Sequence, residues 1–231
     1  MGISAFFIFF AKNYRRLLGM LSQHLLIVLL SLAIAAAFAL PVGFLLHRRK
    51  SLSTAVIGIF SVLYSIPSLA LFTVFLPITG IGMKTAVIVI SIYAQFIMLR
   101  NTVAGFQAVN PSILEASRGM GLSGWEILIQ VQLPLAAPVL LSGLRIAALS
   151  SIGITAIAAT INSGGLGTIL FEGIRNVYTI KIIWGVILTS ALSFGANQLI
   201  NLAENYCSKR ARGERTGKAK RGPKDMYDVS L

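Results

Sequence analysis

The sequence predicts an all-α integral membrane protein with about five transmembrane helices. Of its 231 residues, 56% are hydrophobic and 12% are charged, and uncharged stretches of about twenty residues or more recur along the chain. A helical stretch of about that length matches the hydrocarbon core of a bilayer. A soluble domain would not need such long uncharged runs to build one core, so the composition excludes an ordinary globular protein.

The N-terminal segment, residues 1–22, is predicted to be an interfacial helix that precedes the first span. Its apolar run, Ile3 to Ala11, is too short to cross a bilayer. Its basic residues follow the apolar run, whereas a signal peptide carries them in front. The domain that spans the membrane is predicted over 23–204. Its first span is expected from Leu25 to Leu46, and the basic residues Arg48 to Lys50 end it.

Four more spans are predicted from the remaining uncharged runs. Pro67 is expected to kink the second span, because proline removes a backbone N–H and clashes with the preceding turn. Pro77, Gly80 and Gly82 then indicate a turn outside the membrane. A short outside helix is predicted over 166–178. The second to fifth spans are expected at residues 51–83, 85–99 with a helical continuation toward 106, 135–161 and 182–203.

The distribution of Lys and Arg predicts the orientation, since these residues prefer the cytoplasmic side. With the N-terminus outside, the inside segments contain Arg48, Arg49, Lys50, Arg100, Arg118 and eight basic residues from Lys209 to Lys224, against six basic residues outside. This orientation places residues 110–134 and the C-terminus in the cytoplasm. The basic tail, residues 205–231, is expected to be disordered and to contact anionic lipid, and not nucleic acid.

Residues 110–134 form a polar insertion between the third and fourth spans. Ser112 precedes Glu115 by three residues and Ser123 precedes Glu126 by three, and each pair fits a capping box at a helix start. Two short helices are therefore predicted, with Gly121 in a left-handed conformation at the turn between them. The second helix is expected to expose Trp125 and Leu128, and Pro134 is expected to start the next element.

This insertion resembles the EAA signature of the permease subunits of type I ABC importers: E-A-A, three residues, G, nine residues, I, one residue, L-P. Two positions depart from it, since Ser117 replaces the second Ala and Val131 replaces Ile. In that family the loop docks on the ATPase subunit, and an exposed aromatic side chain suits a partner's groove. The ATPase-coupling residues are therefore expected to be Glu115, Ala116, Ser117, Gly121, Trp125, Leu133 and Pro134.

Flanking segments resemble the osmoprotectant branch of the same family, which imports glycine betaine, carnitine and choline. They are YSIPSLALF at 64–72, LPLAAPVLLSGLR at 133–145 and SGGLG at 163–167. The resemblance covers residues 25–203 and implies a MetI-like permease fold that forms the path for a quaternary ammonium solute. It also implies a multi-pass protein of a bacterial-type cell membrane. The implied partners are an ATPase dimer that uses ATP and Mg²⁺, a second permease copy or a paralogue, and a separate extracellular solute-binding protein.

No catalytic, cofactor or metal site is expected in the chain itself. His24 and His47 have no Ser or Cys partner in register, and no Gly-rich loop ending in Lys-Ser/Thr is present to hold phosphates. Cys207 is the only cysteine, which excludes an intrachain disulfide. The chain is therefore expected not to be an enzyme.

Four residues are candidates for the solute path: Tyr64, Tyr93, Ser151 and Thr155. Aromatic rings attract quaternary ammonium groups, although tyrosines that only pack would have the same pattern. Ser151 and Thr155 belong to a stripe of small residues from Gly143 to Ala159 at four-residue spacing. Such a stripe is typical of close helix packing, either inside one bundle or against the path and a second subunit.

Two other functions remain open at this point. One is a permease for amino acids, methionine, taurine or nitrate, which would share the fold and the EAA loop. The other is a channel or secondary carrier that works alone. The sequence contains neither the inverted repeat nor the matched pair of broken spans that is typical of carriers.

Overall fold

The computed structural model describes residues 3–211, and this part of the chain is helical with no strand. Four of its helices are long and apolar enough to cross a membrane, and the bent pair of α2 and α3 forms either a fifth, broken span or a re-entrant loop. The predicted all-α fold is confirmed, and the predicted number of about five spans is reached when α2 and α3 are counted together as one span. The helices are α1 (Ile3–Leu46), α2 (Lys50–Ser65), α3 (Ser68–Thr79), α4 (Met83–Gln107), α5 (Pro111–Gly119), α6 (Gly124–Ile127), α7 (Leu133–Ala158), α8 (Gly167–Arg175) and α9 (Thr179–Ala211).

Helix α1 is continuous over 44 residues, which corresponds to about 66 Å. The prediction of a separate helix over residues 3–22 is therefore wrong in its C-terminal boundary. No proline interrupts the sequence between Met20 and Leu26, and the single Gly19 is tolerated inside a helix. The position of residues 3–22 relative to the membrane stays a prediction.

The second span is broken and not merely kinked. The axes of α2 and α3 differ in direction by 95°. Ile66 has an extended backbone with ψ 131° and Pro67 follows with ψ 134°. A residue that precedes proline is disfavoured in the α conformation, so two successive non-helical residues separate the helices.

The core is formed by α1, α4 and α7, with α9 packed along α7. Its largest cluster joins Val28 and Leu32 of α1 to Ile97 of α4 and Ala147 of α7. Gly143 allows the close approach of α4 and α7, because a Cβ at this position would overlap the Asn101 side chain. The small-residue stripe of α7 therefore packs inside this chain's own bundle.

At one end of the bundle, α1 holds the glycine-rich turn that precedes α8. The Gln23 side chain donates to the Ser163 carbonyl and accepts from the Gly165 N–H, each at 3.2 Å. His24 Nδ1 accepts from the Leu166 N–H at 3.2 Å. These hydrogen bonds fix the turn to the first span.

An ion network lies at the same end. Glu172 of α8 pairs with Lys181 of α9 at 3.0 Å and with Arg16 of α1. Burial raises the pKa of Glu172, but the hydrogen bond from Lys181 and the attraction to Arg16 outweigh that effect, and the net result is a lowered pKa. The network therefore holds three helices together through a carboxylate that stays ionised at neutral pH.

Helix α9 extends beyond the predicted fifth span at both ends. Residues 205–211 of the predicted disordered tail are helical, because the first glycine after Gly195 is Gly213 and no proline intervenes. Residues 212–231 lie outside the described part of the chain. Arg145 of α7 pairs with Glu204 of α9 at 3.4 Å, so this cation of the fourth span is neutralised across the helix contact.

Candidate functional site

Helix α5, the first helix of the loop, is capped by Asn110. The Asn110 side-chain oxygen accepts from the Ser112 N–H at 3.0 Å, and Pro111 occupies the first helical position, where no N–H is needed. The predicted capping box of Ser112 and Glu115 is wrong. Ser112 already lies inside the first turn, since the stronger Asn-Pro start precedes it by two residues.

The turn after α5 is a Schellman motif at Gly121. The Gly121 N–H donates to the Arg118 carbonyl at 2.9 Å, and the Leu122 N–H donates to the Ser117 carbonyl at 3.2 Å. Gly121 has φ +84°, the left-handed conformation that glycine adopts without a Cβ clash. The prediction for this residue is confirmed.

The second helix start is the capping box that the sequence predicted. The Ser123 N–H donates to Glu126 Oε2 at 2.8 Å, and the Glu126 N–H donates to Ser123 Oγ at 3.3 Å. The two side chains thus satisfy each other's backbone groups at the exposed surface. The start of α6 is fixed within one turn of Gly121.

The second helix does not end before the fourth span, contrary to the prediction. Helix α6 continues through one π-helical turn, Leu128–Gln132, into α7. In that turn the Leu133 N–H donates to the Leu128 carbonyl, five residues back. We infer that this wider turn accommodates Pro134, whose ring would otherwise clash with the carbonyl four residues earlier.

Buried side chains pack the loop against the helix bundle. Ile127 is 5% exposed and Ser117 is 2% exposed. Leu114 and Leu128 pack against a cluster that contains Phe106 of α4. Leu128, which we expected to be exposed, therefore packs against the bundle, and the loop is packed onto the ends of α4 and α7.

The outward side of the loop carries exposed apolar side chains. Met120 is 74% exposed and Trp125 is 69% exposed. The others are Ile113, Ile129 and Leu133. We call these five side chains the loop's apolar surface. Large exposed apolar side chains beside polar ones mark an interaction surface.

The seven predicted coupling residues divide into two groups. Six of them lie at the surface of the loop: Glu115, Ala116, Gly121, Trp125, Leu133 and Pro134. Ser117 is the exception, since its hydroxyl donates to the Ile113 carbonyl at 2.7 Å and its side chain is buried. In the structure, Ser117 supports the turn at Gly121.

Two residues of the loop were missed in the sequence. Asn110 caps α5, and the Asn-Pro pair is the signal that would have identified it. Ile129 follows Trp125 by four residues on the same helix face, and that spacing would have identified it.

The four path candidates also divide into two groups. Tyr64 of α2 and Tyr93 of α4 lie together, with ring centroids 5.5 Å apart, and Phe96 is 4.8 Å from Tyr64. Ser151 and Thr155 are 1% and 0% exposed, and the Thr155 hydroxyl donates to the Ser151 carbonyl at 2.7 Å. The latter pair lies in the packed interior of this chain's bundle and lines no open surface within it.

Comparison with known proteins identifies the family. The profile of the family described as "Binding-protein-dependent transport system inner membrane component" matches residues 30–213. The carnitine transport permease protein OpuCB of Listeria monocytogenes is 37% identical over 177 residues, which cover 77% of this chain and 81% of that protein. The osmoprotectant import permease protein OsmW of Salmonella typhimurium is 36% identical over 184 residues, covering 78% and 86%.

The fold agrees with this match. A chain of the MetNI methionine ABC transporter in an inward-facing conformation has a TM-score of 0.73 to this structure, with 24% identity, and the match covers 87% of this chain and 98% of that one. Sequence and fold thus point to the same kind of multi-pass inner-membrane subunit. The chain belongs to the family of binding-protein-dependent transport system inner membrane components, as a permease subunit of a type I ABC importer.

Proposed function

We propose that this subunit forms the translocation path for a small quaternary ammonium osmoprotectant and couples to a separate ATPase through residues 110–134. The observation that carries the proposal is the loop itself. It keeps the EAA spacing, it is mounted on α4 and α7, and it exposes Trp125 and Met120. A surface of this kind fits the groove of a partner protein.

The continuity of the loop with the fourth span supports a coupling role. Helix α6 is continuous with α7, so a force on Trp125 is carried into the fourth span without a flexible joint. On ATP binding, closure of the ATPase dimer would move the loop, and the spans would open toward the outside. ATP and Mg²⁺ belong to the partner, because this chain has no phosphate-binding loop in its sequence.

The choice of solute rests on the relatives. Curated proteins at 31–37% identity are named for carnitine, choline, glycine betaine or osmoprotectant transport. The solved methionine transporter is 24% identical, a level that supports the fold alone. A second permease copy or paralogue and a separate binding protein complete the proposed complex.

The proposed orientation has the N-terminus outside and the loop in the cytoplasm. The loop lies at the same end of the bundle as the basic cluster after α1, since the Gln107 side chain donates to the His47 carbonyl at 3.1 Å. Arg48, Arg49 and Lys50 follow immediately. Basic residues prefer the cytoplasmic side, where ATP is available.

The test is uptake by the complete complex in proteoliposomes, with ATP enclosed on the ATPase side. Labelled choline, carnitine and glycine betaine should enter only with ATP and binding protein. Methionine and taurine, the solutes that the alternative permeases would import, serve as the comparison. Uptake of methionine or taurine in place of the three onium solutes would contradict the proposed substrate class, and onium flux without any ATPase would contradict the coupled importer.

A further inference from the structure

The break between α2 and α3 brings an aromatic cluster and unpaired carbonyl groups to the middle of a span. At 1.5 Å per residue, Tyr93 lies about 15 Å along α4 from its start at Met83. Tyr93 donates through its hydroxyl to the carbonyl of Ile66, the first residue of the break. This hydrogen bond connects the break to the centre of α4, the predicted third span.

The C-terminal end of α2 is incompletely satisfied. Its Val62 carbonyl accepts from the Ser65 hydroxyl at 2.7 Å, and its Leu63 carbonyl accepts from the Ile66 N–H at 3.3 Å. Pro67 has no N–H to offer. Within residues 3–211 no hydrogen bond outside α2 reaches the carbonyls of Tyr64 or Ser65. A helix C-terminus with free carbonyls carries a partial negative charge.

Such backbone does not face lipid. Irregular backbone at membrane depth is tolerated only where it is buried in protein or lines a water-filled cavity. Tyr64 and Ser65 are both exposed in this chain. The exposed side of the break therefore faces either a protein neighbour in the assembled transporter or a water-filled cavity, and the site proposed below takes the second of these environments.

Of the two tyrosines in this cluster, Tyr64 is the accessible one. Tyr93 is 5% exposed and is held by its hydrogen bond, whereas Tyr64 is 37% exposed. The Tyr64 ring lies edge-to-face with Tyr93 at 63° and is tilted by 34° to Phe96. Tyr64 is thus supported from two sides while its remaining surface is accessible to a ligand. Aromatic faces attract cations, most strongly where water is excluded.

The charge pattern selects the type of cation. Helices α2, α3 and α4 contain neither Asp nor Glu. An ammonium group with N–H donors would need several acceptors to replace its water. A quaternary ammonium group has no N–H donor, and ring faces with carbonyl dipoles satisfy its charge.

We propose that Tyr64, with the free carbonyls at the end of α2, forms a transient site for the quaternary ammonium group of the solute, and that Tyr93 and Phe96 position Tyr64. This inference rests on the proposed function and adds a binding site within the membrane. Choline is the simplest probe. Its neutral carbon isostere, 3,3-dimethylbutan-1-ol, has the same shape without the charge.

The experiment measures equilibrium binding of both probes to the purified complex without the binding protein, which removes the high-affinity competitor. Tyr64→Leu should weaken choline binding about tenfold. Tyr64→Phe keeps the ring and should stay close to the wild type. Tyr206→Leu, at an exposed tyrosine of α9, is the matched control and should change nothing.

A graded series at position 64 separates a charge effect from a structural one. Phenylalanines with one, two and three ring fluorines keep the shape of the ring and reduce its negative face. Choline binding should weaken stepwise along the series, whereas binding of the neutral isostere should stay constant. If Tyr64→Leu fails to assemble, this series still shows whether choline binding depends on the ring at position 64.

Equal responses of the two probes, a flat choline series, or no choline binding by the wild-type complex would overturn the site. Each of these outcomes leaves the proposed function standing if ATP-driven uptake of choline by the wild type persists. Loss of onium uptake by the wild type itself would instead overturn the proposed function.

Discussion

Asn110, Gly121 and Ser123 determine the shape of the loop at residues 110–134, and two of the three could be recognised in the sequence. Gly121 was predictable because a left-handed turn has one preferred residue, and Ser123 because its partner Glu126 follows at the capping distance. Asn110 was missed because Ser112 and Glu115 offered the same spacing. The sequence pattern alone does not rank two overlapping helix starts.

A pair of substitutions tests the assignment of the α5 cap. Asn110→Ala should cost about 1 kcal/mol of local helix stability, because the Ser112 N–H loses its acceptor. Ser112→Ala leaves that hydrogen bond in place and should have little effect. Hydrogen exchange of the α5 amides in the purified subunit measures both. A larger loss of protection in Ser112→Ala than in Asn110→Ala would restore the predicted capping box.

At the scale of elements, the sequence predicted where helices exist better than where they end. The continuity of α1 through residue 22 and of α6 into α7 was missed, because apolar runs mark spans and polar residues continue a helix without changing its backbone. The break at Pro67 was predicted as a kink. Its 95° angle depends on the packing of α3 against α4, and a single-chain pattern contains no such information.

The contact between α4 and α7 provides a prediction at this scale. Gly143→Ala places a methyl group against Asn101, with the Asn101 Cγ at 2.9 Å, and should destabilise the subunit by about 1–3 kcal/mol. Gly153→Ala lies in the same helix with no atom of this chain within 4 Å of the new Cβ, so it serves as the control. Thermal unfolding in detergent compares the two. An unchanged midpoint for Gly143→Ala would contradict the close crossing.

At the scale of the whole molecule, the existence of the long apolar helices was predictable and their packing was not. In lipid, the side chains that face neighbouring helices are as apolar as those that face the bilayer. The hydrophobic pattern therefore did not show which faces of α1, α4 and α7 form the core. Ser151 and Thr155, expected on the path, belong to that packed interior.

The proposed orientation gives a prediction for intact cells. In a Cys207→Ser background, single cysteines at Gly80 or Asn176 should react with an impermeant maleimide added outside, and a cysteine at Met120 should react only after the membrane is opened. All three positions are exposed. The charge bias is the physical reason. Labelling of the position 120 cysteine in sealed cells would place the loop on the wrong side for an ATPase.

The most direct test of coupling through the loop compares two glycine substitutions. Gly121→Val forces a β-branched residue into φ +84° and should displace Trp125 from the partner. Gly119 is the last residue of α5, and a Cβ added there has no atom of this chain within 4 Å. ATPase co-purification and ATP-driven choline uptake are measured together, at equal membrane abundance. Gly121→Val is expected to lose ATPase binding or uptake, whereas Gly119→Val should keep both. Full co-purification and full uptake in Gly121→Val would contradict the coupling role of residues 110–134.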